Sequence, residues 1–354
     1  MVQKIVTSES VTRGHPDKVC DQISDYLLDE FLAHDPNSRC AIECMATPTK
    51  IIVAGEVTSS HTFNVKEKVA QVLNDIGYGT QAFKIENLLT TQSKEIAQGV
   101  DENGAGDQGT VFGYSTNETL NYIPLSYALA QQLTNALFQA YKEKLISNLG
   151  PDGKAQVSVV FENKTPLYVD NVIIAQQYTQ GKNQTKLKEE ITEFIIKPVL
   201  NELFIENKTN VFINQTGSFI LGGPQADCGL TGRKIIVDTY GGVSRHGGGA
   251  FSGKDPTKVD RSAAYMARYL CVQCVKQKLC EKCEIGLSYC IGRSEPTAIE
   301  INTFNTGDEA KVRELISTFD LTPKGIISFL ELNKPIYYKT AQNGHFGKNF
   351  KWDL

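Results

Sequence analysis

Apolar residues recur every three to four positions in several stretches of this chain, which is the spacing of helices that bury one face. This periodicity predicts helices at about 17–34, 66–76, 125–147, 184–203, 258–278 and 308–318. Between the helices, apolar and β-rich runs come in pairs joined by short turns: Cys40–Ala46 with Ile51–Thr58, Gln156–Glu162 with Leu167–Gln177, and Glu284–Ile291 with Ala298–Phe304. Each pair lies between two helices, so a unit of helix, two strands and helix occurs three times.

Three such units predict an α+β fold of three similar domains, each a mixed sheet with helices on one face. The length of 354 residues exceeds one ordinary core, which agrees with several packed units. Gly-rich stretches interrupt the periodic segments near Asp101–Gly104 and Gly222–Pro224. We therefore expect domains at residues 1–102, 103–222 and 223–354.

The composition is that of an ordinary globular protein, with 41% hydrophobic and 21% charged residues. A formal charge of −4 argues against non-specific binding of nucleic acid, because that task needs a net basic face. No apolar run is long enough to cross a bilayer, and the first residues lack the apolar core of a signal peptide. We expect a cytoplasmic protein without a membrane or nucleic-acid partner.

Four of the nine cysteines form two CxxC pairs with five residues between them: Cys271, Cys274, Cys280 and Cys283. Thiolates at such spacing suit tetrahedral zinc. The first pair falls late in the predicted helix at 258–278, however, and glycine knuckles are missing. We favour buried small hydrophobes or exposed thiols over a zinc site.

Three Gly-rich segments carry the candidate chemistry: Gly14–Lys18 (GHPDK), Gly104–Gly109 (GAGDQG) and Gly229–Asp260. From Arg233 to Arg261 the chain has six Lys or Arg residues against three acids, with six glycines among them. Glycine amides and nearby cations form a nest for phosphate oxygens, so a polyphosphate is the predicted ligand. Flexible surface turns are the alternative. An apolar, strand-like run at Lys234–Tyr240 precedes the glycines.

One match within this region is to a P-loop, because Gly248 to Lys254 fits GxxxxGK. Asp255 stands where a P-loop needs Ser or Thr for Mg²⁺, and Pro256 follows at once. A P-loop-like NTPase is therefore kept only as an alternative function.

The GHPDK motif lies at the start of the first predicted helix, where free amides and the helix dipole favour an anion. Lys18 can neutralise a phosphate there, His15 can donate a hydrogen bond to one, and Asp17 can carry a hard cation. The alternative is that Asp17 caps the helix and His15 packs in the core.

Asp260 repeats this arrangement at the start of another predicted helix, behind Lys254 and Lys258. Mg²⁺ takes one or two protein carboxylates and leaves its other positions to phosphate and water, which suits Asp17 and Asp260 as a pair. Either acid could instead form a surface ion pair with a local lysine.

Taken together, these segments resemble methionine adenosyltransferases, also called S-adenosylmethionine synthetases. The resemblance is carried by Ser8–Lys18 (SESVTRGHPDK), GAGDQG at Gly104–Gly109, Asp227–Lys234 (DCGLTGRK) and His246–Asp255 (HGGGAFSGKD), and it continues to Gly344–Gly347 (GHFG). It implies three similar domains about a pseudo-threefold axis. It also implies a homodimer with active sites between its subunits, paired into a homotetramer in some members.

The reaction that the resemblance implies joins ATP and L-methionine. The methionine sulfur displaces the triphosphate from C5′ of ATP, and the triphosphate is then hydrolysed to pyrophosphate and phosphate. Two Mg²⁺ per site and K⁺ are the implied cofactors.

The resemblance also implies roles for individual residues. The triphosphate and transition-state contacts would be His15, Lys154, Arg233, Lys234, Lys254 and Lys258. Asp17 and Asp260 would bind Mg²⁺, and Glu43 would be associated with K⁺. The remaining contacts of ATP and methionine would be Glu56, Gln92, Asp107, Asp152, Phe219, Asp227 and Ile291. Among these, Phe219 would stack on adenine and Glu56 would receive the methionine amino group.

Some positions depart from the family pattern. Arg13 stands where the family usually has Glu, Ser218 replaces a basic residue, Gln215 a Pro, and Glu95 an Asp. The segment from about 92 to 107 resembles the mobile gate over the site, shorter here than in many relatives. A non-catalytic regulatory homologue is the second alternative, but it would require the loss of an essential side chain, and the implied catalytic residues are all present.

Overall fold

The computed structural model describes residues 3–91 and 104–354. The strands in these ranges are β1 Gln3–Val11, β2 Arg39–Ala46, β3 Lys50–Thr58, β4 Lys84–Thr90, β5 Gly109–Thr116, β6 Leu149–Glu162, β7 Thr165–Tyr178, β8 Asn210–Ile213, β9 Gly229–Leu230, β10 Lys282–Tyr289 and β11 Ala298–Asn302. The helices of two or more turns are α1 Pro16–His34, α2 Val65–Ile76, α3 Leu125–Lys142, α4 Gln184–Ile191, α5 Val259–Lys276, α6 Glu309–Ile316 and α7 Pro323–Leu330. Short helical turns include Lys197–Leu200, Ile235–Asp238 and Tyr337–Thr340.

The strands form three sheets, in the orders β1-β6-β7-β8, β4-β3-β2-β9 and β11-β10-β5. The predicted α+β class is confirmed. Each sheet is completed by a strand from a distant part of the chain: β1 pairs with β6, β9 with β2, and β5 with β10, all antiparallel. These long-range strand pairs connect distant parts of the chain. The boundaries that we placed at 102/103 and 222/223 stay predictions.

Most of the elements that periodicity predicts are confirmed. The three hairpins are the antiparallel pairs β2–β3, β6–β7 and β10–β11. The helix predicted at 184–203 is interrupted by a π turn at Thr192–Ile196, directly before Lys197–Leu200, where Pro198 has no N–H for the helical ladder. The strand-like interpretation of Lys234–Tyr240 is wrong, because Ile235–Asp238 forms a helical turn. The apolar run there is too short for its period to decide between helix and strand.

The apolar side chains pack into two cores. One lies between α1, α5 and the sheets that contain β2 and β10, and the other lies between α3, α4 and the sheet of β6 and β7. The four CxxC cysteines are free thiols buried in the first core, and they form no metal-coordinating group within the part of the chain that the structure describes. In residues 3–91 and 104–354, no helix combines the length and the apolar character that crossing a bilayer requires.

Candidate active site

Helix α1 begins at a proline that follows a histidine. Pro16 presets φ for the first helical turn and has no N–H to leave unsatisfied. His15 is the N-cap, and its Nδ1 accepts a hydrogen bond from the backbone N–H of Asp17 at 3.2 Å. Because Nδ1 is the acceptor, the ring proton belongs on Nε2, which can donate to an anion.

The carboxylate of Asp17 is buried and lies at the centre of a basic cluster. It accepts the backbone N–H of Leu230 at 3.0 Å and the Lys234 ammonium at 2.6 Å, and Arg233 Nε is 3.9 Å away. Burial alone would raise the pKa of Asp17, but the hydrogen bonds from Lys234 and Leu230 lower it below its ordinary value. The acid is therefore ionised. We call His15, Asp17, Lys154, Arg233 and Lys234 the Asp17 cluster.

His15 is neutral within this cluster. Burial, and then the charges of Lys234 and Lys154, lower the pKa of His15 from 6.5 to about 3, against a smaller opposite effect of Asp17. Lys154 lies on β6 opposite Val11, and its side chain is exposed. The imidazole is thus a hydrogen-bond donor without charge, next to ammonium groups that can meet an anion.

Three predicted substrate contacts belong to the same region. Asp152, near the start of β6, is 5% exposed and accepts the N–H of Gly223 at 2.8 Å. Burial raises the pKa of Asp152 to about 6; its charge interacts with both Lys154 and Asp227, of which Asp227 is exposed. Phe219 is half-buried and packs against the core beneath β6 and β7.

A second cluster forms at the start of α5. Asp260 accepts the Lys254 ammonium at 2.6 Å, and the two side chains are 20% and 22% exposed. Lys258, the N-cap of α5, instead pairs with the buried Asp255 at 2.5 Å. Desolvation by the surrounding protein raises the pKa of the exposed Glu43, and the charge of Lys254 opposes that rise. We call Glu43, Lys254, Lys258 and Asp260 the Asp260 cluster.

Both predicted glutamates lie on one face of the sheet that contains β2 and β3. Ala41 of β2 pairs with Glu56 of β3, so Glu43, two residues along β2, points to the same side of the sheet as Glu56. The backbone of Lys254 forms an isolated β-bridge with Ala41 on the other edge of β2. Both glutamates are exposed, and the same face presents Met45 and Leu88, which are 37% and 56% exposed. An apolar and acidic sheet face therefore borders the Asp260 cluster.

The remaining predicted contacts lie in loops. Asp107, before β5, is exposed, and its side chain accepts the N–H of Gln108 at 2.7 Å. Ile291 is 58% exposed and follows β10, where it forms a parallel bridge with Ala105 in the loop of Asp107. Gln92 and most of the predicted gate lie outside the described residues.

The structure corrects the prediction for Lys18. This side chain is fully buried, 3.1 Å from Asp21 and in contact with Asp238, so it is not available to a phosphate. A position in the first turn of a helix does not determine where its side chain points, because successive side chains are rotated by about 100° around the helix axis. Lys18 points into the core, whereas Asp17 points to the cluster.

Asp17 and Asp260, predicted as a pair, belong to separate clusters in one chain. Arg261, next to Asp260, bonds to Asp25, which is about 12 Å along α1 from Asp17. Among the described residues, no hydrogen bond or ion pair joins the two clusters. The P-loop surroundings are missing as well: the short helix Ile235–Asp238 precedes the glycines, and α5 begins beyond Lys254.

Comparison with known proteins identifies the family. The N-terminal, central and C-terminal domains of S-adenosylmethionine synthetase match residues 3–101, 102–219 and 221–354. The chain belongs to the S-adenosylmethionine synthetase family. It is 46% identical to the S-adenosylmethionine synthase of Finegoldia magna over 97% of this chain and 94% of that protein. It is 44% identical to the S-adenosylmethionine synthase of Staphylococcus epidermidis over 98% and 93%.

Of the four departures from the synthetase pattern, Arg13 is the one whose contacts the structure describes in detail. Arg13 pairs with Asp75 at 2.5 Å, donates to Tyr338 and Gln22, and stacks on Phe138 at 5.1 Å. The reversed charge is thus neutralised by a local acid. Gln215 and Ser218 are exposed, and Glu95 lies outside the described residues.

One residue that supports the Asp260 cluster was not predicted from the sequence. Asp255 is fully buried and accepts the Cys40 N–H at 2.7 Å, the Thr257 hydroxyl at 2.6 Å and the Lys258 ammonium. It fixes the loop between Lys254 and α5. The signal was present as Asp-x-Thr-Lys before a helix, an arrangement in which the acid side chain bonds the backbone two residues on.

Proposed function

We propose that the protein forms S-adenosylmethionine from ATP and L-methionine and then hydrolyses the triphosphate to pyrophosphate and phosphate. The observation that carries this proposal is the pair of clusters, each with an acid at a helix start holding a lysine at 2.6 Å. Membership of the family and the similarity to S-adenosylmethionine synthases support these substrates. An oxygen donor beside several cations is the chemistry that a metal-bound polyphosphate needs.

The first step needs no general base. The thioether sulfur of methionine is an uncharged nucleophile without a proton to lose, so catalysis rests on alignment and on stabilising the leaving triphosphate. Arg233, Lys234 and Lys154 would bind the triphosphate from one side, and Lys254 and Lys258 from the other. The neutral His15 would donate from Nε2 to O5′ as negative charge develops there.

The acids of the clusters fit divalent metal. Asp17 and Asp260 have carboxylate oxygens, the ligands that hard cations prefer. Each already accepts a hydrogen bond from a lysine ammonium, so a metal ion could bind beside that lysine. We propose that each binds one Mg²⁺, which neutralises charge on the triphosphate. Glu43 would hold K⁺ beside Lys254, where desolvation by the surrounding protein favours a neutralising partner.

The other predicted contacts would bind the organic parts of the substrates. Phe219 would stack on adenine and Glu56 would receive the methionine ammonium. We propose that the remaining family positions also contact ATP or methionine: Gln92, Asp107, Asp152, Asp227 and Ile291. We also propose a cytoplasmic location, supported by nine cysteines that are all free thiols.

A homodimer would unite the two clusters. Within one chain they share no bond among the described residues, and the exposed face of Glu43, Met45, Glu56 and Leu88 borders only one of them. We propose that this face packs against a second copy, so that each active site takes the Asp17 cluster from one subunit and the Asp260 cluster from the other.

A product assay tests the activity. Purified protein with ATP, methionine, Mg²⁺ and K⁺ should form S-adenosylmethionine, pyrophosphate and phosphate, and chelation of Mg²⁺ should abolish all three. Well-folded protein that forms no S-adenosylmethionine would refute the proposal. Formation of ADP without methionine would favour the NTPase alternative instead.

Mixing inactive variants tests the shared site. Asp17→Asn and Lys254→Ala should each be inactive, but a co-expressed mixture should recover up to about a quarter of wild-type activity, because half the dimers carry one intact site of two. The matched control mixes Asp17→Asn with Lys234→Ala, both in the Asp17 cluster, and should recover nothing. Equal recovery in both mixtures, or none in either, would contradict an intersubunit site.

A further inference from the structure

Aspartates recur at every fourth position of α1: Asp17, Asp21, Asp25 and Asp29. Residues four apart lie on the same side of a helix, so these four form a ladder of about 18 Å. Asp21 and Asp25 are fully buried, yet neither contacts a substrate in the proposed reaction. Burying a carboxylate costs free energy unless it is bonded, so each acid must hold something.

Each member of the ladder accepts a backbone N–H from a distant segment. Asp21 Oδ1 accepts the N–H of Gly232 at 2.8 Å. Asp25 Oδ1 accepts the N–H of Gly253 at 2.8 Å. Asp29 accepts two amides at 2.9 and 2.8 Å from the helical turn that starts at Tyr337. Bonds from an amide to a carboxylate are among the stronger hydrogen bonds in proteins.

The two glycines share one local design. Gly232 directly precedes Arg233, and Gly253 directly precedes Lys254. Both glycines have left-handed backbones, with φ of 76° and 82°. At Gly253 a side chain would also meet the carbonyl oxygen of Ile42 at 1.9 Å. In both segments, then, a left-handed glycine fixed on α1 is followed at once by a basic residue of a cluster.

We propose that Asp21 and Asp25 are positioning residues of the active site. By holding Gly232 and Gly253 on successive turns of α1, they fix the two basic segments about 6 Å apart along one rigid helix. In the proposed dimer the two segments serve different active sites, so α1 sets the geometry of both. The catalytic consequence rests on the proposed function, whereas the anchoring of the loops does not.

The neighbours of the two acids decide which of them can be tested. Asp21 shares the buried Lys18 with Asp238, so its removal leaves the ammonium with a partner. Asp25 makes two bonds to the fully buried Arg261, at 2.6 and 2.7 Å. Its removal would leave a buried guanidinium without a carboxylate, which destabilises the fold itself. The experiment therefore uses Asp21.

Three variants separate positioning from stability. Asp21→Ala removes the acceptor of the Gly232 N–H, Asp21→Asn keeps an acceptor oxygen, and Asp29→Ala removes a rung that holds no basic segment. We expect Asp21→Ala to lower kcat about tenfold, because small misplacements of catalytic groups are costly, with KM for methionine changed less than about twofold. Hydrogen exchange in segment 229–234 should rise. Asp21→Asn should recover most of both effects.

Asp29→Ala is the control for a purely structural effect. Asp29→Ala should lower Tm as much as Asp21→Ala but leave kcat within about twofold of wild type. Equal losses of kcat in the two alanine variants, no recovery in Asp21→Asn, or unchanged exchange in segment 229–234 would overturn the proposal. If Asp21→Ala does not fold, Asp21→Glu replaces it: the displaced carboxylate should lower kcat, and wild-type kcat would overturn the proposal.

Product formation tests the proposed function, and hydrogen exchange tests the role of Asp21 independently of it. Failure of the wild-type protein to form S-adenosylmethionine would sink the function. Exchange at segment 229–234 would still decide whether Asp21 holds the Gly232 loop, because that measurement needs no substrate.

Discussion

The Asp17 cluster and the Asp260 cluster have the same parts but differ in how far one chain completes them. In each, an acid at the start of a long helix holds a lysine at 2.6 Å. Asp17 is 4% exposed and also accepts the Leu230 N–H, whereas Asp260 is 20% exposed and bonds to Lys254. His15 and Asp17 of the first cluster are buried, with more exposed cations around them, whereas the acid of the second cluster is partly exposed.

The difference in burial predicts which cluster contributes more to the electrostatic stabilisation of a bound anion. Charges attract more strongly where water is excluded, and exposed pairs are weakened by solvent and salt. The buried cluster also lowers the pKa of its own histidine to about 3, which an exposed cluster would not do. The Asp17 cluster should therefore dominate catalysis, and the Asp260 cluster should gain strength only when a ligand or a second subunit covers it.

The largest expected effect is that of Asp17→Asn. The substitution keeps the shape and one acceptor but removes the buried charge that would carry Mg²⁺, so kcat should fall by about 10³-fold. Product formation measures the rate, and thermal unfolding checks that the fold is retained. Near-normal turnover in folded protein would show that Asp17 does not bind an essential Mg²⁺ and that its cluster does not dominate catalysis.

A smaller loss is expected for Asp260→Asn. Water can partly replace this less buried carboxylate around a metal ion, so kcat should fall by about 10²-fold, with a larger rise in the Mg²⁺ concentration needed for half activity. The matched measurement is a Mg²⁺ titration of both asparagine variants. A larger loss for Asp260→Asn than for Asp17→Asn would reverse the comparison.

Much of the fold could be predicted from the sequence, and the reason is locality. The helices and the three hairpins are encoded by periodicity within short windows. Most lie within a few residues of their predicted bounds, but β6 begins seven residues earlier than predicted and the helix at 184–203 has one interruption. The joining of β1 to β6 and of β9 to β2 was not predicted. Pairing between strands so far apart in the chain leaves no trace in any local pattern.

The candidate site divides in the same way. Asp17, Lys234, Lys254 and Asp260 could be named because their motifs place them near helix starts and glycines. The direction of Lys18 could not, because neighbouring helix positions differ by about 100° and only the packed core decides which way each side chain points. Four-residue spacing of aspartates is visible in the sequence, but the distant amides that they accept are not.

Glu43 offers a weaker test of the open cluster. Its partly desolvated carboxylate suits a monovalent cation, so Glu43→Gln should lower activity by about three- to tenfold and should flatten the K⁺ dependence. The measurement is a K⁺ titration at constant ionic strength. A variant as K⁺-dependent as wild type would show that K⁺ binds elsewhere and that the exposed face has another role.

The smallest effect concerns the far end of α1, which should affect stability and leave catalysis unchanged. Burial raises the pKa of Asp29 from 3.8 to about 7, so between these values the folded chain holds a proton that the unfolded chain has released. The contribution of Asp29 to stability is therefore present at low pH and is lost as pH rises from about 4 to about 7. Asp29→Asn loses one acceptor at every pH but cannot ionise. Its free energy of unfolding, relative to wild type, should rise across that window by at most about 1.4 kcal/mol per pH unit.

Urea unfolding at several pH values measures this slope, and kcat at each pH measures catalysis. A constant difference between Asp29→Asn and wild type would mean that Asp29 is already ionised in the folded chain near pH 4. A change in kcat beyond about twofold would mean more, because Asp29 holds neither basic segment. It would show that a change at Asp29 shifts α1 enough to alter the Asp17 cluster. The helix would then couple the two clusters energetically and not only hold them at a fixed distance.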